Sequence, residues 1–564
     1  MNIKLKLLTV ATLAIVLSTT GAVHADGFFS KLFGGDKKNG ADFKSLLMHV
    51  PVDTAYLIAN KESVPKKVMD DHMQRGKDML ALVSSSDGMQ KAMASSEGPG
   101  KFFSALLEEY SALLSSDKIS ETGMSAETKS VIYGYEMMPV MRIGIADKDK
   151  MMAMIKRAEE KSSYKIEFSK CGEFDCFEST DPKGQMAMSA IFLNDHIAIS
   201  AFSTDKKESL KKHLMGEADP KDSYSVANWE SFLEENNYPG YGDGFINLKS
   251  AFNYAKPMIV QEMEGKMDNK TVDGCLAVAE DHLDNMTEIV FGTTNLAEKV
   301  IDYEVLFKTS SDVSTTLQTL ANATNIPQRT DNAIFDFGVN INFSKMRDAL
   351  TQYSNFLIKS GEDNKCSFIQ ANEIRKSMGG MAMVMNMGLS QFNSVYASVS
   401  DIQLDKRMQP EKVDAVVSLG SNDPAGLIAM AGMMVPPIMS LNIPADGSVV
   451  KLPDGLIPAK GGVKAPEIFL SRTEKAINIF IGNDKPALME NSSKTPEISF
   501  SSMDLGGYMK IITNIMDALP ADAKNSAEMP DMEMLKKIGE AGGRMDSNTS
   551  ADKRGLAIKY HIQY

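Results

Sequence analysis

Apolar side chains alternate as in a strand in some parts of the chain and recur at helical spacing in others. Apolar residues alternate over residues 141–145 and again over residues 164–168, and each alternation predicts a strand. Between them, the apolar spacing predicts a helix that begins at the cap residue Asp147. Large apolar side chains at helical spacing predict a further helix over residues 101–114.

Two predicted hairpins repeat one pattern far apart in the sequence. One runs over residues 191–200 and turns at Asn194-Asp195, and the other runs over residues 468–481. In each, a polar residue and a helix follow the second strand. Another recurring unit is a strand that ends in Asn or Asp, followed by a large apolar residue and a helix. Its copies lie at Asn247, Asn342 and Asp504.

These patterns predict an α+β fold. Strands that come in hairpins, with amphipathic helices between the groups, favour antiparallel or mixed sheets. The repeated order indicates two duplicated lobes, although strand–cap–helix transitions also arise without shared ancestry. A chain of 564 residues is expected to divide into more than one core. We place an N-terminal lobe over residues 46–284 and a C-terminal lobe over residues 285–564.

Residues 1–25 have the pattern of a secretory signal peptide. Two lysines precede an apolar run over residues 7–17, and residues 22–25 (Ala-Val-His-Ala) fit the small-x-small cleavage pattern. The run is too short to span a membrane, and no later stretch is long and apolar enough to do so. We therefore expect a flexible segment over residues 26–45, followed by a soluble protein exported to the periplasm.

The composition is that of a globular protein, with 43% hydrophobic and 24% charged residues. It excludes collagen-like, low-complexity and disulfide-scaffold classes. The 60 Lys and Arg residues are outnumbered by 74 Asp and Glu residues, so the net charge is −14. Nucleic-acid binding needs a basic surface, so this charge argues against it. It also argues against adsorption to anionic lipid through charge alone.

The four cysteines are expected to form disulfides, because an even number in an exported chain is typical of disulfide bonding. Cys171 and Cys176 lie where two candidate strands join, so a bridge would staple a hairpin. Cys275 then pairs with Cys366 by elimination. The alternative is a redox or metal role. Redox pairs usually have two residues between the cysteines, whereas Cys171 and Cys176 have four, and no His cluster accompanies them.

The sequence contains no strong catalytic motif, whether of zinc proteases, serine hydrolases or phosphate-binding loops. Asp195-His196 lies in a predicted hairpin turn, and we expect a solvated loop there rather than a catalytic base. No catalytic or cofactor-binding residue is assigned, and no cofactor is expected. A triad assembled from distant residues stays open.

Methionine is the unusual feature of the composition, with 40 residues. Met381, Met383, Met385 and Met387 alternate after a Gly-Gly pair, and on a strand they would line one face. Thioether sulfur is a soft ligand suited to Cu(I), so these four are the candidate metal ligands. Met433, Met434 and Met439 form another group of methionines. We favour the alternative that Met fills apolar gaps or forms an adaptable binding surface, because neither His nor Cys lies nearby in the sequence.

Short motifs are spread through much of the chain that follows the signal peptide. They are residues 49–56 (HVPVDTAY), 131–135 (VIYGY), 139–142 (PVMR), 422–424 (NDP), 436–437 (PP) and 446–447 (DG). Together they resemble a domain-of-unknown-function family of uncharacterised exported, periplasmic proteins of Gram-negative bacteria. That family has no assigned activity, so the resemblance implies no functional residue.

The sequence favours a binding role over an enzymatic one. We expect a Met-lined apolar surface that meets a lipid, a peptide or an envelope protein. A hydrolase with a site assembled from dispersed residues is the second interpretation, and metal handling through Met is the third. The metal role predicts that the stripe over residues 381–387 is exposed, whereas packing predicts that it is buried.

Overall fold

The computed structural model describes most of the chain after residue 40. The described ranges are 41–62, 118–124, 128–180, 186–264, 266–321, 327–329, 333–386, 391–404, 410–453, 466–483, 488–490, 497–518 and 542–564, with single positions between some of them. The signal peptide expected over residues 1–25 and residues 26–40 of the expected flexible segment lie outside these ranges.

The chain folds into two compact units. Unit 1 contains the residues up to Glu262 together with Glu288–Val305, and unit 2 contains Met263–Thr287 together with Leu306–Tyr564.

Unit 1 combines an antiparallel sheet with helices. Its strands are β1 (Tyr56–Asn60), β2 (Ser130–Tyr135), β3 (Met138–Gly144), β4 (Phe168–Cys171), β5 (Phe174–Thr180), β6 (Met186–Phe192), β7 (His196–Ser203), β8 (Tyr241–Asn247) and β9 (Met286–Ala297). Its helices are α1 (Phe43–Leu47), α2 (Lys148–Ser162), α3 (Lys207–Leu214), α4 (Val226–Asn236) and α5 (Leu248–Met263). The strands lie in the order β4-β5-β6-β7-β3-β2-β1-β8-β9.

The strands of unit 2 also pair in antiparallel fashion. The strand β10 (Val300–Thr309) is divided between the two units. The strands that follow are β11 (Pro327–Arg329), β12 (Phe335–Asn340), β13 (Phe392–Leu404), β14 (Pro410–Ser421), β15 (Val450–Lys451), β16 (Ile468–Arg472), β17 (Ala476–Ile481), β18 (Leu488–Glu490), β19 (Glu497–Asp504), β20 (Arg544–Asp552) and β21 (Gly555–Gln563). They lie in the order β15-β16-β17-β14-β13-β12-β19-β20-β21, and β11 pairs separately with β18.

The helices of unit 2 lie between and beside these strands. They are α6 (Asn269–Leu283), α7 (Ser311–Leu320), α8 (Phe343–Asp363), α9 (Ala371–Asn386), α10 (Pro424–Met434), α11 (Pro436–Met439) and α12 (Leu505–Ala518). Among the described residues, no helix combines the length and the apolar character needed to cross a membrane.

The predicted α+β architecture is confirmed. The turn at Asn194-Asp195 joins β6 to β7, and the Leu193 N–H donates across it to the His196 carbonyl at 2.9 Å. The three predicted strand–cap–helix units are confirmed as well. In each, a side-chain oxygen accepts an unpaired backbone N–H at the start of α5, α8 or α12. The capping residues are Asn247, Asn342 and Asp504, at 2.8, 3.1 and 3.1 Å.

The strand predicted over residues 164–168 is only partly present. β4 begins at Phe168, because the Ile166 N–H donates to the Glu159 carboxylate of α2 at 2.6 Å rather than to a neighbouring strand. Tyr164 and Ile166 still pack against the core of unit 1. The alternation therefore reflects burial without strand pairing.

Residues 41–45 belong to the folded part of unit 1, although the flexible segment was expected to extend to residue 45. Asp42 caps α1, and Phe43 is buried against the ring of Trp229. Burial of an aromatic side chain offsets the entropy that ordering this short helix costs.

Both predicted disulfides are present. Cys171–Cys176 joins β4 to β5, and Cys275–Cys366 joins α6 to the segment after α8. The second bridge helps to explain why α6 belongs to unit 2 while Glu288–Val305 belongs to unit 1. The division of the chain therefore differs from a single boundary after residue 284.

Removal of the Cys171–Cys176 disulfide is expected to destabilise unit 1 moderately. Closing so short a loop stabilises a protein by roughly 2 kcal/mol in the chain-entropy model, so the double variant Cys171→Ala, Cys176→Ala should lose about that much. Urea unfolding followed by fluorescence of Trp229, the only tryptophan, measures this loss because that residue is buried in unit 1. The control is Lys170→Ala, which removes only an exposed ion pair. Equal midpoints for the double variant and the control would refute the expectation.

Candidate functional site

A buried arginine lies at the centre of a polar cluster in unit 1. Arg142 of β3 is fully buried. Its Nε donates to the Tyr133 hydroxyl at 3.0 Å, and its Nη1 donates to Nε2 of His196 at 2.8 Å. Nη2 donates to the His213 carbonyl at 2.7 Å, and Nη1 also reaches the Leu214 carbonyl at 3.3 Å. Every guanidinium nitrogen thus has a protein partner, as a buried charge requires.

The directions of these hydrogen bonds make two imidazoles neutral. A guanidinium only donates, so Nε2 of His196 accepts and its Nδ1 donates to the Asp195 carboxylate at 2.7 Å. The Tyr133 hydroxyl accepts from the guanidinium and therefore donates to Nε2 of His213 at 2.7 Å. Nδ1 of His213 donates to a backbone carbonyl at 3.2 Å. A proton added to either Nε2 would remove an acceptor from this network.

A third imidazole completes the cluster. Nδ1 of His49 lies 2.5 Å from the Asp219 carboxylate, and its ring centroid lies 5.7 Å from that of His196. Burial, and then the charge of Arg142, lower the pKa of His49 to about 4 and that of His213 to about 4. Burial also lowers the pKa of His196. We call Arg142, Tyr133, His49, His196 and His213 the arginine–histidine cluster.

The expectation of a solvated loop at Asp195-His196 is wrong for the imidazole. The turn contains only two residues, so His196 already belongs to β7 and pairs with Gly144 of β3. There it is buried, two residues along the strand from the position paired with Arg142. Both ring nitrogens of His196 have partners within the protein, so its geometry favours compensation of a buried charge over general base catalysis.

The proposed metal stripe is not on a strand. Met381, Met383 and Met385 lie in α9, and Met387 lies outside the described residues. The backbone there is helical, so the alternation of the sequence does not correspond to one face of a strand. Most other residues of this helix, such as Ala, Glu, Arg, Lys and Met, favour helix formation. They offset the cost of the Gly-Gly pair, which is about 1 kcal/mol for each glycine. Met381 is exposed. Among the described residues, no group of three or more His, Cys, Asp or Glu side chains is arranged to hold a metal ion.

A different set of methionines is strongly exposed in unit 2. Met433 is 70% exposed, Met434 is 82% exposed and Met439 is 67% exposed. The first two end α10, and the third ends α11. The side chain of Met439 folds against α10, since a Cβ added at Gly432 would lie 2.4 Å from its Cγ. Met439 therefore lies against the turn of α10 that immediately precedes Met433 and Met434.

These methionines lie on a stretch of chain that lacks charge. No charged residue occurs between Asp423 and Asp446, and the polar side chains there are Ser440 and Asn442. We call residues 424–439 the methionine surface. Its inner side is anchored to unit 2, because Leu427 packs with apolar side chains of β16 and β17.

Sequence reasoning missed the arginine–histidine cluster, and it grouped Met433, Met434 and Met439 without predicting that they are exposed. The arginine–histidine cluster joins residues from β2, β3, β7, α3 and the segment after α1, which no local motif brings together. For the methionine surface, the uncharged stretch was visible in the sequence, but its exposure was not.

Comparisons with family models, curated proteins and solved structures find no match for this chain. The resemblance to uncharacterised exported proteins therefore stays a prediction, and the function is argued from the chain's own geometry.

Proposed function

We propose that the chain is an exported, periplasmic protein that acts by binding, and that its methionine surface contacts lipid. The observation that carries this proposal is the exposure of Met433, Met434 and Met439 on a stretch without charge. A contiguous exposed apolar patch on a folded protein marks an interaction site. The two disulfides support an oxidising compartment.

The proposal includes two duplicated lobes, and the strand order supports this. The order β6-β7-β3-β2-β1-β8-β9 of unit 1 matches the order β16-β17-β14-β13-β12-β19-β20 of unit 2, with the strands following one another along the chain in the same sequence. A helix follows each of the matching strands β3 and β14, and its first turn is capped by Asp147 in one unit and by Asp423 in the other. Four residues later, Met151 and Leu427 enter the cores.

This correspondence provides an internal reference for the methionine surface. α2 and α10 occupy equivalent positions, and both pack their inner sides against the second strand of a hairpin, at Ile197 and Ile477. Their outer sides differ. The exposed positions of α2 are mostly charged, namely Asp149, Lys156, Glu160 and Lys161, whereas those of α10 are Ala425, Gly426, Ala429, Met430, Met433 and Met434. A helix at this position in the fold therefore does not require an apolar outer side. A binding role accounts for the apolar outer side of α10.

Several properties favour lipid as the occupant. Acyl chains offer no hydrogen-bonding groups, and the methionine surface exposes no charged side chain that would need a partner. Flexible thioether side chains adapt to an irregular apolar layer. The net charge of −14 gives no attraction to anionic headgroups. We therefore expect binding that depends on apolar contact and is strongest on zwitterionic membranes.

Truncation of the methionine surface is expected to weaken lipid binding. Each methionine that enters lipid contributes roughly 1 kcal/mol when about half of its apolar area leaves water. The triple variant Met433→Ser, Met434→Ser, Met439→Ser should therefore bind phosphatidylcholine vesicles about a hundredfold more weakly. Vesicle flotation measures this binding.

The matched control replaces three exposed methionines elsewhere, as Met48→Ser, Met258→Ser, Met381→Ser. It should float with the vesicles as the unmodified protein does, both at low and at high salt. Equal loss in the two triple variants would contradict the proposal, as would binding only to anionic vesicles at low salt.

A further inference from the structure

We propose that the methionine surface is an oxidation site, at which conversion of Met433, Met434 and Met439 to sulfoxides releases the protein from lipid. The oxidation itself follows from exposure and clustering, and the release rests on the proposed function. The oxidant is a hydroperoxide, which an exported protein meets outside the reducing cytosol.

Among the described residues, the methionines of this site are the most exposed ones. Met433, Met434 and Met439 present most of their side-chain surface to water. Other described methionines are buried in the cores and serve as internal references, namely Met124, Met151, Met154 and Met516. Oxidation of methionine depends on access of the oxidant to sulfur, so the three residues of the site should react before the buried ones.

The reaction is a two-electron transfer of oxygen. A lone pair of the thioether sulfur attacks one peroxide oxygen, so an S–O bond forms and the O–O bond breaks. Sulfur is oxidised by two electrons and the peroxide is reduced by two. The transferred oxygen loses its proton, and the departing oxygen takes one up, so that with hydrogen peroxide it leaves as water. No cofactor or further reductant is needed.

The product changes the character of the surface. A sulfoxide is polar and accepts hydrogen bonds, whereas a thioether is largely apolar. Acyl chains offer no donor to the new oxygen, so its burial in lipid is unfavourable. Because the three methionines are the most exposed apolar residues of α10 and α11, their oxidation makes the most accessible part of the surface polar.

The test uses the full exported chain with its disulfides intact and hydrogen peroxide as the oxidant. Peptide mass mapping over time should show sulfoxides at Met433, Met434 and Met439 forming roughly tenfold faster than at the buried methionines. Flotation with phosphatidylcholine vesicles should then show a loss of binding on the order of a hundredfold in the treated protein.

A second variant isolates the cause of release. Met433→Leu, Met434→Leu, Met439→Leu keeps the surface apolar and cannot form sulfoxides at these three positions. Its binding to phosphatidylcholine vesicles is measured before and after hydrogen peroxide treatment, and the two affinities should be nearly equal. Equal release of this variant would overturn the proposal, because oxidation elsewhere would then be responsible.

Two other results would also overturn the inference, and they are distinguishable from each other. If the untreated protein does not bind vesicles, the proposed function fails and the release fails with it. If the untreated protein binds and the three sulfoxides form without loss of binding, the proposed function stands and only the inference is refuted.

Discussion

Replacement of Arg142 by methionine is expected to destabilise unit 1 by about 3–5 kcal/mol, the cost of breaking a buried charged network by removing one partner. The change removes the guanidinium donor from the Tyr133 hydroxyl, from Nε2 of His196 and from the carbonyls of His213 and Leu214. The His213 carbonyl keeps the Gly216 N–H as a donor. None of these groups is exposed enough for water to replace the lost hydrogen bonds readily.

Urea unfolding followed by Trp229 fluorescence measures the change in unit 1. The control is Arg347→Met, which removes an exposed arginine paired with Asp348 and should shift the free energy of unfolding by less than about 0.5 kcal/mol. Arg142→Lys should lie between the two, because one ammonium group can replace only part of a forked guanidinium. An unfolding midpoint for Arg142→Met equal to that of the control would refute a stabilising role for the cluster.

Acidification is expected to weaken unit 1 strongly between pH 6.5 and pH 4. The pKa of His49 and that of His213 are lowered to about 4 in the fold, against 6.5 in the unfolded chain. Above pH 6.5 the two imidazoles are neutral in both the folded and the unfolded chain, so they do not lower the free energy of unfolding. As the pH falls below 6.5, the unfolded chain binds protons that the folded unit does not. Each of the two histidines thereby lowers the free energy of unfolding by on the order of 3 kcal/mol at pH 4.

A buried carboxyl group in the same unit acts in the opposite direction. Burial raises the pKa of Asp243 to about 7, so the folded unit binds this proton before the unfolded chain does. This group contributes stability as the pH falls below 7. The histidines of the cluster are therefore tested best by comparing the pH dependence of the free energy of unfolding between a histidine variant and the unmodified protein.

Replacement of one imidazole isolates its contribution. Between pH 6 and pH 5, the free energy of unfolding of His213→Phe should fall less than that of the unmodified protein, by about 1.4 kcal/mol per pH unit. The reason is that the unfolded variant takes up one proton fewer relative to the folded variant. The control, His282→Phe in unit 2, should leave the pH dependence reported by Trp229 unchanged. A pH dependence of His213→Phe equal to that of the unmodified protein would show that His213 does not titrate as its burial requires.

Local features of this fold are well predicted from sequence because their causes are local. The caps at Asn247, Asn342 and Asp504 depend on a side chain and a backbone N–H a few residues apart. The hairpin turn at Asn194-Asp195 is equally short-range. The disulfides followed from their even number and from the small loop between Cys171 and Cys176.

The arginine–histidine cluster depends on contacts that the sequence does not display. Arg142 lies in an alternating strand, where a charged residue between apolar ones normally faces water. Its side of the sheet is instead covered, because α3 supplies His213 and the chain after α1 supplies His49. The spacing of Met381, Met383 and Met385 was misleading for a related reason, since alternation alone did not decide between a strand and α9.

The most direct test of the lipid-binding claim places a reporter at the most exposed methionine of the surface. Trp229 is the only natural tryptophan and is buried, so Met434→Trp adds a second emission that reports its own surroundings. On phosphatidylcholine vesicles that carry brominated acyl chains, the added emission should shift to shorter wavelength and be quenched, whereas Met381→Trp should not respond. An added emission from Met434→Trp that is neither shifted nor quenched by these vesicles would contradict the claim that the methionine surface enters lipid.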